Sequence, residues 1–138
     1  MAEHRPRPAR GLLDTSAIID LEQLDPSQLP VEIAVTAISM AELAAGPHAA
    51  NDVDERARRQ DRLQRAEAAF DPLPFDGEAA RAYGRVYAAV VEAGRKARGA
   101  RAVDLLIAAV ACANELPLYT RNEADFKALD GLVEIIAV

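Results

Sequence analysis

Residues 11–20 read GLLDTSAIID, and the first half of that stretch decides the fold. Gly11-Leu12-Leu13 is a short apolar run closed by an acid, Asp14, as in a buried strand. Thr15 or Ser16 then caps a helix from about Ala17 to Leu24. A strand followed at once by a helix is the unit of a parallel sheet, and the unit recurs along the chain. Residues 32–38, EIAVTAI, are β-branched and apolar enough for a second strand. Ser39 opens the helix after it, and Gly46-Pro47 ends that helix. A charged helix runs from Asp52 to about Phe70, with Val53, Ala57, Leu63, Ala66 and Phe70 turned inward. Residues 71–75, DPLPF, carry two prolines and can form only a short edge strand or an extended link. Residues 77–98 form a long helix ended by Gly99, burying Ala80, Tyr83, Val86, Tyr87, Val90 and Val91. Residues 102–114 form a helix apolar on nearly all sides. PLYT at 117–120 is a strand, Asn122 starts a short helix around Asp125 and Phe126, and LVEIIA at 132–137 closes the sheet. The alternation predicts an α/β fold, a parallel sheet with helices on both faces. In such folds the working crevice lies beyond the carboxyl ends of the strands.

Length and composition fit this reading. The 138 residues suit one domain, 1–138, with residues 1–10 as a loose lead-in. Half the residues are apolar and Trp is absent, so the core is built from Ala, Val, Leu and Ile. Cys112 is the only cysteine; it reads as core filler, excludes an internal disulfide and fits a reducing, cytoplasmic compartment. No apolar stretch follows the basic N-terminus, which excludes a secretory signal. No run approaches the roughly 20 apolar residues of a membrane span.

The net charge of −6 argues against a nucleic-acid binder, since most carry a basic face. The basic residues are grouped, however. One set is Arg56, Arg58, Arg59, Arg62 and Arg65; the other is Arg95, Lys96, Arg98 and Arg101, just ahead of Asp104. The second set is the candidate for contact with phosphate.

Four acids occupy comparable places: Asp14 after the first strand, Glu42 one turn into the helix after the second, Asp104 early in the apolar helix, and Asp125 soon after PLYT. Each has a structural explanation taken alone. Ser39 and Glu42 have capping-box spacing, Asn122 and Asp125 a weaker version of it, Asp104 suits a helix start, and Asp14 can cap the first helix. Together they say more. Asp14 and Asp104 lie beside Leu-Leu pairs, and a carboxylate there is costly unless a cation or donors compensate. The only lysines are Lys96 and Lys127. A hard divalent ion makes converging carboxylates tolerable, and all-oxygen ligation selects Mg²⁺ or Mn²⁺ over zinc.

The stretches LLDTSAIID (12–20), ISMAELAAG (38–46), VDLLIAAVA (103–111) and TRNEADF (120–126) resemble, in order and spacing, the four signatures of PIN-domain nucleases, most closely the VapC toxins. The resemblance spans about Gly11 to Val138. It implies a three-layer α/β/α sandwich around a parallel five-stranded sheet. It makes Asp14, Glu42, Asp104 and Asp125 the metal-binding and catalytic acids, with Ser16 and Asn122 as supporting polar groups. Thr15 and Thr120 are read as turn and capping residues only. The implied function is metal-dependent hydrolysis of RNA phosphodiesters by a toxin that forms a homodimer and is silenced by a cognate VapB-type antitoxin. The implied chemistry is a metal-activated water attacking phosphorus. Arg95, Arg98 and Arg101 would steady the RNA backbone. The apolar helices near 17–24 and 39–45 would supply the antitoxin's groove, and its basic side chain would enter the acid pocket.

Two rivals are weaker. An aspartyl-nucleophile phosphatase of the haloacid-dehalogenase kind wants a second Asp where Ser16 stands and a well-placed downstream Lys. A non-catalytic binding module of the same fold has no need to keep all four acids.

Overall fold

Leu12 and Leu13 are neighbours in strand β1 (Arg10–Leu13), and both are fully buried. Consecutive side chains of a strand face opposite ways, so β1 must be covered on both sides. The computed structural model describes residues 7–95 and 100–138. In it β1, β2 (Glu32–Ala34), β3 (Leu118–Thr120) and β4 (Ile135–Ala137) form one sheet in the order β2-β1-β3-β4. Every pairing is parallel, and Leu12 lies level with Ala34 on one side and Leu118 on the other.

Among the described residues five α-helices cover the sheet: α1 (Thr15–Ile19), α2 (Ala37–Ala49), α3 (Val53–Ala69), α4 (Gly77–Glu92) and α5 (Ala100–Ala113). Leu12, Ala34 and Leu118 pack with Ala79, Ala82, Val86 and Val90 of α4 and with Leu105 and Ile107 of α5. Leu13, Val35 and Tyr119 face the other way, toward Ala17 and Ile18 of α1, Leu43 of α2, and Leu63 and Ala66 of α3. The result is the expected α/β/α sandwich.

Among the described residues the sheet has four strands, where five were expected. The fifth is reduced to one parallel bridge, Thr36 to Leu73. Leu73 donates to Val35 O at 2.8 Å and accepts from Ala37 N at 2.8 Å. Pro72 and Pro74 have no N–H to offer on the outer side, so this edge is finished and nothing can pair beyond it.

Several helix limits also differ. Asp14 caps α1, not Thr15 or Ser16; the helix stops at Ile19, and a 3-10 turn follows at Leu21–Gln23. Thr36 caps α2 by accepting from Ser39 N, so Ser39 lies inside the helix. Gly46-Pro47 does not end α2, which continues one short turn to Ala49. On α3 only Leu63 and Ala66 are buried, and Val53 is exposed. On α4 the buried face is Ala79, Ala82, Val86 and Val90, one step round from the expected one; Tyr87 and Val91 are exposed. Residues 7–10 are tied down, since Val31 N donates to Pro8 O and Glu32 N to Ala9 O. The expected helix end at Gly99 lies outside the described residues.

Gly11 has a packing reason. A Cβ there would run into the Tyr119 ring and meet Pro30 Cγ at 3.0 Å. We expect Gly11→Ala to cost about 1–3 kcal/mol through overpacking. Urea unfolding measures it, and an unchanged midpoint would show that Tyr119 can step aside.

Candidate active site

Parallel pairing sends the carboxyl ends of all four strands to one edge. Leu13 is level with Tyr119, so the next residues, Asp14 and Thr120, stand side by side. Asp14 is 3% exposed. Its Oδ1 accepts from Ala17 N at 3.0 Å and Ser16 Oγ at 2.7 Å, and its Oδ2 accepts from Thr120 Oγ1 at 2.5 Å. These donors offset the cost of burying the charge. The same two hydroxyls hold the next loop: Ser16 Oγ accepts from Arg121 N at 3.1 Å, and Thr120 Oγ1 accepts from Asn122 N at 3.0 Å. A carboxylate has about four acceptor positions, and three of those on Asp14 are filled.

Glu42 projects from α2 and is exposed. The capping box expected at Ser39 is not formed, because Thr36 does the capping. Glu42 Oε1 instead accepts from Thr15 Oγ1 at 2.5 Å. Thr15 Oγ1 also lies 2.9 Å from the buried Ser39 Oγ. Asp104 is half-buried in the second turn of α5. Its carboxyl is pushed up to about 6, first by burial and then by the negative charges of Asp125, Asp14 and Glu42, while Arg101 pulls the other way. The field of all three other acids therefore reaches Asp104. Asp125 is half-buried in a 3-10 segment, Glu123–Leu129, anchored in the core by Phe126 and Leu129. Among the described residues no Lys or Arg forms an ion pair with any of the four acids.

The remaining sequence candidates divide. Ser16 touches Asp14. Asn122 is exposed, and its side chain makes no capping bond; its backbone N–H serves Thr120 instead. Arg95 donates to Ala124 O at 3.0 Å, next to Asp125. Arg101 acts on Asp104. Arg98 lies outside the described residues. In the other basic set, Arg58 and Arg59 pair with Glu55, and Arg65 pairs with Glu22 and Asp61, as solvated helix-surface pairs do.

Sequence reasoning passed over Thr15 and Thr120. The missing signal was register: two strands that end level, one in an acid and one in a hydroxyl, place a donor against an acceptor. The donor set suits a hard cation, being carboxylate oxygen throughout. Among the described residues no three His, Cys, Asp or Glu side chains yet form a group able to hold an ion.

The chain matches the family model described as PIN domain over residues 11–132. It is 43% identical to ribonuclease VapC5 of Mycobacterium tuberculosis over 136 residues, 95% of this chain and 97% of that protein. The crystal structure of VapBC-5, a member of the VapBC family of toxin–antitoxin systems from the same organism, superposes with a TM-score of 0.84 at 44% identity; 95% of this chain and 100% of that one are covered. FitAcB from Neisseria gonorrhoeae superposes with a TM-score of 0.68 at 25% identity, covering 91% of this chain and 95% of that one.

Proposed function

Because the chain belongs to the PIN-domain family, and within it to the VapC ribonucleases, we propose that Asp14, Glu42, Asp104 and Asp125 are its catalytic centre. The protein is a ribonuclease toxin whose partner is a cognate VapB-type antitoxin. One observation carries the assignment of the centre. The half-buried Asp104 feels the negative charges of Asp125, Asp14 and Glu42, and no basic side chain is paired to these four acids among the described residues.

Mg²⁺ or Mn²⁺ would be held by Asp14 and Asp104, with Glu42 and Asp125 completing the set. When bound, such an ion polarises a phosphate oxygen and lowers the pKa of the attacking water. The side chains do the rest. Asp14 is locked in one orientation by Ser16, Ala17 and Thr120, and so presents its remaining lone pair in a fixed direction. Glu42 and Asp125 complete the site or help orient the water. Arg101 steadies the RNA backbone beside Asp104. Arg95, already bound to Ala124 O, does so from beside Asp125. Asn122 supports the site through its backbone.

We infer that the antitoxin docks in an apolar cleft between helices. A cleft of about 370 Å³ is lined by Ile18 and Leu21 on one wall and by Arg62 and Ala66 of α3, with Phe70 just past its end, on the other. No helix among the described residues is long and apolar enough to cross a membrane. We place the work in the cytoplasm, with the single cysteine as support, and expect a homodimer that light scattering would detect.

The test is cleavage of RNA by purified protein with Mg²⁺ or Mn²⁺, with EDTA and with the antitoxin. Cleavage that survives EDTA would end the metal reading. A pH dependence follows as well. The Asp104 carboxyl titrates at about 6, above its ordinary 3.8, so protons compete with the ion at mildly acidic pH. Calorimetry should find Mn²⁺ affinity level above about pH 7 and falling as the pH drops through 6, approaching tenfold per unit below it. A flat profile down to pH 5 would remove Asp104 from the ligand set.

A further inference from the structure

Thr15 stands between two helices. It is the first residue of α1, and its hydroxyl meets Ser39 at 2.9 Å and Glu42 at 2.5 Å, both of them on α2. A hydroxyl has one proton to give, and an ionised carboxylate only accepts. The Thr15 proton therefore goes to Glu42. Ser39 must then be the donor in its contact with Thr15. The bonds run one way, from the buried Ser39 to Thr15 to Glu42.

The four acids are not held equally. Asp14 is buried and receives three donors, whereas Glu42 is exposed and receives one. Nothing else among the described residues hydrogen-bonds the Glu42 carboxylate. A long exposed carboxylate left to itself samples many rotamers. We propose that Thr15 is the positioning residue for Glu42: through the Ser39–Thr15–Glu42 relay it holds this carboxylate at the site before any ion arrives. Metal affinity then depends on a hydroxyl that touches no metal. This rests on the reading of the four acids as the metal site.

The experiment is calorimetric titration of Mn²⁺ into the wild-type chain, Thr15→Val and Thr15→Ser. Valine keeps the shape and removes the hydroxyl. Thr15→Val should bind Mn²⁺ 10- to 100-fold more weakly, the usual loss when a partner that orients a ligand is removed. Thr15→Ser should restore the affinity. In a Glu42→Gln background Thr15→Val should cost nothing more, since the two changes act through one bond. The thermal midpoint in EDTA should stay near the wild-type value, separating this role from a structural one. If Thr15→Val fails to fold, Ser39→Ala breaks the relay one step back and should weaken binding in the same direction. Wild-type affinity in Thr15→Val, or the same loss with and without Glu42, would overturn the role of Thr15 and leave the metal site standing. A wild-type chain that binds no Mn²⁺ would remove the site itself.

Discussion

Asp104→Asn should abolish RNA cleavage and, without metal, raise the temperature at which the protein unfolds. The two effects share one cause. Asp104 is half-buried within the field of three other carboxylates, and its pKa of about 6 measures how poorly its charge is tolerated there. A folded pKa above the unfolded value means that the group stabilises the fold when protonated. That contribution is complete below about pH 4 and is lost as the pH rises through 6. At pH 8 the wild-type protein bears the full repulsion and the amide does not. Discounted for exposure, the gain is about 1 kcal/mol, or roughly 3–6 °C for a domain of this size. Cleavage should fall by at least about 100-fold, since losing a ligand costs more than losing a residue that orients one. Thermal scans in EDTA at pH 5 and pH 8 check the first part: the variant's advantage should be large at pH 8 and small at pH 5. An advantage that is equal at both values, or absent, would mean that neither burial nor the other acids penalise the charge of Asp104.

Asp14→Asn should also abolish cleavage, but with the opposite effect on stability. The wild-type carboxylate receives three donors through two oxygens. An amide has one acceptor oxygen, and its NH₂ would face the Thr120 hydroxyl, which already accepts from Asn122 N. One buried donor loses its partner, at a cost of about 1–3 kcal/mol. Asp14→Asn should fold, yet unfold at lower urea concentration than wild type. An unchanged urea midpoint would show that Thr120 can turn its proton elsewhere. The pair of variants separates an acid that the fold holds from an acid that the fold merely endures.

Much of this was readable beforehand. Two adjacent leucines ahead of an acid dictate a strand covered on both faces, and the alternation that follows leaves few topologies. The places of Asp14, Glu42 and Asp125 follow from the same rule, since residues just past parallel strands collect at one edge, whereas Asp104 sits on a helix and its place does not follow from that rule. Side-chain detail was less legible. On α4 the larger residues Tyr87 and Val91 were assigned inward, but the packed face is Ala79, Ala82, Val86 and Val90, in one cluster with Leu105 and Ile107 of α5. Thr15 and Thr120 read as caps, because a hydroxyl beside a helix start has that role by default. Asp14 took the capping role at α1 and freed Thr15 to reach across to α2, a contact 27 residues distant in sequence.

The proline-flanked Leu73 has a consequence for association. A partner that extended the sheet would need a free row of backbone donors and acceptors at an edge. Past Leu73 that row is interrupted at Pro72 and Pro74, and the opposite margin, β4, is only three residues long. The molecule is thus a poor template for strand-to-strand aggregation, and an inhibitor must grip it through grooves between helices rather than by lengthening its sheet.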